Sequence, residues 1–213
     1  MRRAAALIVA AGLAAWPAHA LGASAPPLLS LDSTAPSIDS TYGSGHFGSW
    51  GVDGFGLPFY RYDVDEAKDP KAKQEELAGG TQAQHQVGND HLMADAFNDG
   101  YVQLWSQDRL SQWANLWQPN NQHWSGGYGY LNVGGKVAST LYLDRPQGAP
   151  FERDFGVGYY TKKVSTQGMD VKETTYSPFG DDPLLVDDVT LTNTTGTSKQ
   201  ASWFEYWDVN PYN

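Results

Sequence analysis

Beyond His123 no stretch of the sequence keeps a helical period, and this constrains the fold more than any other feature. Short runs of mixed apolar and polar residues at 128 to 133, 137 to 143, 157 to 164 and 169 to 176 are separated by turn chemistry. The turns fall at Gly134-Gly135, between Arg145 and Pro150, and at Thr166-Gln167-Gly168. Runs of this length at this spacing predict an all-β chain, an antiparallel β-sandwich. Further on, Pro178, Gly180 and Pro183 with Asp181-Asp182 force a bend, after which Thr190 and Thr192 interleave with Val189 and Leu191 at a period of two. A polar turn at 193 to 198 leads to another strand, from Ala201 to Val209, carrying Trp203, Phe204, Tyr206 and Trp207. Read locally, the two strands form an antiparallel hairpin.

The first twenty residues are of a different kind. Met1-Arg2-Arg3 is basic, Ala4 to Trp16 is apolar but too short to span a bilayer, and Ala18-His19-Ala20 is a small-x-small cleavage site. Residues 1–20 therefore read as a signal peptide, and the chain as exported, to the periplasm or the cell exterior. Its removal takes away two arginines and no acid, so the remainder is more acidic than the net charge of -10 of the full chain. Such a chain offers no basic footprint for nucleic acid and none for an anionic membrane. The sequence contains no cysteine, which excludes disulfides, thiolate catalysis and cysteine-based zinc sites. Stability must come from burial, for which eight Trp, twelve Tyr and eight Phe supply the surface.

Residues 21–45 form a leader rich in Ala, Ser, Pro and Gly without periodicity, and the domain proper is expected over 46–213. Residues 59 to 65 read as a strand. A short helix is expected after Asp69-Pro70, ending at Gly79-Gly80. Leu110, Trp113, Ala114 and Trp117 fall at i, i+3, i+4 and i+7, which predicts a second helical insertion before Pro119.

Carbohydrate recognition needs flat apolar faces beside planar polar groups. Trp105, Arg109, Trp124 and Tyr128 are the candidates for it, with core packing as the alternative for the tryptophans; Trp113 and Trp117, at helical spacing, read as core. His85, Asp90 and His91 are suitable metal ligands without a known ligand spacing, and Asp181-Asp182 and Asp187-Asp188 read as acids flanking turns rather than a cation site. With 24 acidic residues, no pair can be nominated as catalytic carboxylates from sequence.

The last third of the chain resembles the N-terminal β-sandwich of the glycosyltransferase 36 and glycoside hydrolase family 94 type, which precedes the catalytic barrel of cellobiose- and chitobiose-type phosphorylases. The resemblance is carried by Pro178, Gly180-Asp181, Leu191-Thr192-Asn193 and Phe204-Glu205-Tyr206. Looser matches lie at 47 to 50 and 155 to 159. It implies a supersandwich of the galactose-mutarotase-like kind, incomplete at its C-terminus. The implied role is that of the carbohydrate-binding or scaffolding part of an exported enzyme acting on β-linked oligosaccharides. In that family the catalytic acid lies in a helical barrel that is not in this sequence. The chain alone is therefore expected to be inactive, to hold no cofactor, and to take inorganic phosphate only as a co-substrate of such a parent. The expected partners are an oligosaccharide or glycan and the barrel domain. An autonomous glycan-binding module is the alternative, and self-association into a homodimer through the last strand is a further expectation.

Overall fold

The fold comes from a computed structural model, which describes residues 48–62, 83–106, 112–118, 121 and 123–210. The signal peptide, the leader, the helix expected after Asp69 and the candidate Arg109 lie outside the described residues.

The described residues form an all-β, sandwich-like fold. One layer is a six-stranded antiparallel sheet in the order β1 (Gly48–Val52), β2 (Pro58–Tyr62), β11 (Phe151–Gly156), β12 (Tyr159–Thr166), β13 (Met169–Tyr176) and β14 (Val186–Asn193). Two smaller sheets lie against it. One runs β3 (Gln84–Gly88), β4 (Leu92–Phe97), β5 (Val102–Ser106), β6 (Gln112–Trp113); the other runs β10 (Lys136–Ser139), β9 (Gly126–Val133), β15 (Ala201–Trp207). β7 (Trp117–Gln118) and β8 (His123–Trp124) make a separate two-stranded ribbon.

Period-two alternation sets the core. In β13, Met169, Val171, Glu173 and Thr175 point inward and are buried. Val171 and Met169 pack on Leu131 of the three-stranded sheet, while Phe155 and Tyr160 pack on Val87, Ala94, Ala96 and Val102 of the four-stranded sheet. One turn locks the layers together. The carbonyls of Phe97, Asn98, Asp99 and Gly100 accept hydrogen bonds from Tyr160 Oη (2.8 Å), Arg153 Nη1 (2.8 Å), the Tyr142 amide (2.8 Å) and Lys162 Nζ (2.9 Å) respectively. Gly100 has φ +93°, and an added Cβ would lie 2.4 Å from the Thr140 carbonyl oxygen, so glycine is required there.

Three sequence expectations are corrected. β14 and β15 are not a hairpin: β14 pairs with β13 along its whole length, and β15 pairs with β9 in the other layer. A hairpin would have put the two apolar stripes on one sheet, whereas the arch over 194–200 lets Val189 and Trp203 enter the same core. The helical spacing around Trp113 and Trp117 belongs to two short strands instead. Between them buried Asn115 accepts from the Leu104 amide (2.9 Å) and donates to the Val102 carbonyl (2.8 Å). The segment's backbone bonds go to β5 on one side and to residues 208–210 on the other, not to its own preceding turn. Finally, the strand expected over 137 to 143 stops at Ser139 and closes in a 3-10 turn, Tyr142–Asp144.

Candidate functional site

The outer face of the three-stranded sheet carries a continuous set of aromatic rings. Tyr128 and Tyr130 alternate on β9, and Phe204 and Tyr206 lie directly opposite them on β15, in the pairs Phe204–Tyr130 and Tyr206–Tyr128. Tyr128 packs edge-on to Tyr130 (5.9 Å between centroids) and tilted against Tyr206 (5.2 Å). The set continues through Tyr101, which lies 5.8 Å from Trp124 and 6.4 Å from Trp117. Tyr128 and Tyr101 are buried as the floor; Trp124, Tyr130 and Tyr206 are half-buried; Trp117 and Phe204 are 39% and 59% exposed.

Polar groups edge these rings. Tyr130 Oη donates to Asp144 Oδ2 at 3.2 Å, and the His123 ring pairs with the Asp208 carboxylate. Burial raises the pKa of the Tyr128, Tyr130 and Tyr206 hydroxyls, and the neighbouring carboxylates Asp144 and Asp208 act in the same direction. They stay protonated, as donors that can also accept.

Behind this face, where β15 meets the six-stranded sheet, three carboxylates converge. Single oxygens of Glu173, Asp187 and Glu205 all lie within 4.8 Å of one another. Lys162 is wholly buried and donates to Glu173 (2.6 Å), to the Gly100 carbonyl (2.9 Å) and to the Gly127 carbonyl. It thereby ties the six-stranded sheet to both smaller ones. Thr140 holds the second oxygen of Glu173 at 2.5 Å, Thr175 holds Asp187 at 2.5 Å, and Trp203 Nε1 donates to Glu205 at 3.1 Å. One ammonium faces three carboxylates, so burial pushes all three up, Glu205 to about 8. Glu205 is exposed as a residue, and one of its carboxylate oxygens lies within 4.8 Å of the other two. Glu173 is wholly buried and already paired with the Lys162 ammonium. The cluster is a joint between layers that runs from buried Glu173 through half-buried Asp187 to exposed Glu205.

Trp124 and Tyr128 are thus brought together, and Trp117, read as core from its spacing, joins them at the exposed rim. Trp105 is elsewhere, on the four-stranded sheet, edge-on to Trp113 at 4.9 Å. The suggested metal ligands do not assemble: His85 Nε2 bonds the Gly156 carbonyl at 2.6 Å, and His91 lies 3.9 Å from Asp181. Tyr130, Phe204, Tyr206, Asp144 and Asp208 were not singled out as site residues. The alternation Tyr128, Tyr130 and Phe204, Tyr206 is a signal that could have found the rings, but the two aspartates lie beyond their strands and leave none.

No family model matches the chain, and no curated protein matches it either.

Proposed function

We propose that the outer face of the three-stranded sheet binds a glycan, and that the chain works as a glycan-binding module of an exported carbohydrate-active protein. One observation carries the reading: half-exposed Trp117, Trp124, Tyr130, Phe204 and Tyr206 lie on one surface, with the carboxylates of Asp144 and Asp208 between them. Flat rings cover the C–H side of a pyranose, and fixed acceptors take its hydroxyl protons, the combination that separates a sugar site from a plain apolar patch. The face has no reason to turn over what it binds. The cluster of Glu173, Asp187 and Glu205 lies on the opposite side of the sheet, and its central carboxylate is fully buried.

The test is binding of cellohexaose and chitohexaose, followed by calorimetry and by affinity electrophoresis in soluble β-glucan. Phe204→Ala and Trp117→Ala each remove an exposed ring and are expected to weaken binding about tenfold, the equivalent of about 1.4 kcal/mol. Retention of full affinity in the double variant overturns the reading.

A second reading, that the module also positions a neighbouring catalytic domain, is supported by β14 and β15, each of which is the last strand of its sheet with no further strand paired to it among the described residues. The resemblance to glycoside phosphorylase sandwiches belongs to this reading. It predicts that a helical barrel domain supplied in trans protects the β14 and β15 amides from exchange.

A further inference from the structure

A separate cavity of about 440 Å³ lies where β3 of the four-stranded sheet passes the β2–β11 side of the six-stranded sheet. Its size is in the range of small-molecule sites. Trp50 and Tyr60 form two of its walls, edge to face at 5.2 Å and 68°, and Phe155 forms a third, with Gln84 and His85 as the polar groups. Trp50, a large indole, is 41% exposed.

His85 has a defined tautomer. Its Nε2 lies 2.6 Å from the Gly156 carbonyl oxygen, which can only accept, so Nε2 carries the hydrogen and Nδ1 of the neutral ring is a bare acceptor. Among the described residues, no other hydrogen bond to His85 is made. Burial lowers the His85 pKa more than the carbonyl raises it, which keeps the ring neutral and Nδ1 an acceptor at neutral pH. The site therefore combines aromatic walls with one fixed acceptor and one amide that can give or take.

We infer that this cavity binds a single ring with a flat apolar face and a hydroxyl that donates to His85 Nδ1. The class is shared by a pyranose and a phenol. The site is independent of the aromatic face of the three-stranded sheet.

The experiment titrates methyl β-D-glucopyranoside and, separately, p-cresol into the full chain, following the His85 ring nitrogens by NMR and indole fluorescence. Saturable binding of one probe is expected, with a shift of the Nδ1 resonance. Affinity should be level above pH 6.5 and fall below it, as protonation of His85 removes the acceptor. Binding by the glucoside alone identifies a sugar site; binding by p-cresol alone identifies a phenol site. Val157→Trp, at an exposed turn on the cavity rim, is expected to abolish binding without touching the core. His85→Phe, which keeps a flat ring and loses the acceptor, should weaken binding by about two- to tenfold, the equivalent of one hydrogen bond. Phe204→Ala should leave this binding unchanged, so failure here and failure of the glycan-binding face are told apart. Absence of saturable binding by both probes, or binding indifferent to Val157→Trp, overturns the inference.

Discussion

Lys162 meets Glu173 and two main-chain carbonyls with no exposure to water, so its removal leaves a buried carboxylate and two carbonyls without their donor. Lys162→Met is expected to lower stability by about 3–5 kcal/mol, the usual cost of breaking a buried pair from one side. Lys162→Met with Glu173→Leu, which removes both charges, should recover much of that loss; urea denaturation of the two variants checks it. The remaining carboxylates give a pH dependence with a definite sign. Glu205 titrates near 8 in the folded chain against an ordinary 4.5, so the native state holds a proton that the unfolded state releases. Its contribution is complete below the unfolded pKa and is lost as pH rises through the folded one. Asp187, also shifted upward, acts in the same direction. His85, shifted downward, costs stability only as pH falls below its ordinary value of 6.5. Between pH 6.5 and 9 the melting temperature should therefore fall, on the order of 2–4 °C for each kcal/mol lost, and Glu205→Gln should remove most of the slope. None of this residue-scale chemistry was legible in the sequence. Glu173, Asp187 and Glu205 come from three strands and two sheets, and no spacing announces a meeting fixed by layer packing.

At the scale of elements, β15 has two faces with opposite tolerance. Trp203 lies over Gly129, where an added Cβ would sit 2.1 Å from the indole. Gly129→Ala should displace the ring at a cost of about 1–3 kcal/mol, and Trp203→Lys should cost about 3–5 kcal/mol as a large-to-unsuitable core change; thermal denaturation measures both. Phe204→Lys, on the outer face, should change stability by less than about 0.5 kcal/mol and reduce any self-association seen in sedimentation. Trp203 and Trp207 line the joint between layers, and Phe204 is the exposed aromatic of the strand. The strand pattern itself was legible in part. β13 was marked from its first residue to its last by turns on either side, and β9 by the Gly134-Gly135 turn that follows it. The pairing of β14 and β15 was not legible, because local alternation is identical whether two strands share a sheet or face each other across a core.

For the whole molecule, the sandwich-like all-β fold follows from many short alternating runs, glycine turns and abundant aromatic surface, all of them local or compositional signals. The division of the second layer into two sheets does not, since it arises from the long-range pairing of β15 with β9. The candidate face was half legible: Trp124 and Tyr128 stand out because sugars need flat rings, whereas the rings of β15 join them only through long-range pairing. The most direct test of the account is calorimetric titration of cellohexaose and chitohexaose into the full chain and into the Trp117→Ala, Phe204→Ala double variant. The account predicts saturable binding of at least one oligosaccharide, weakened about a hundredfold, or about 2.7 kcal/mol, in the double variant. Equal affinity in both proteins, or no binding to either, would contradict it.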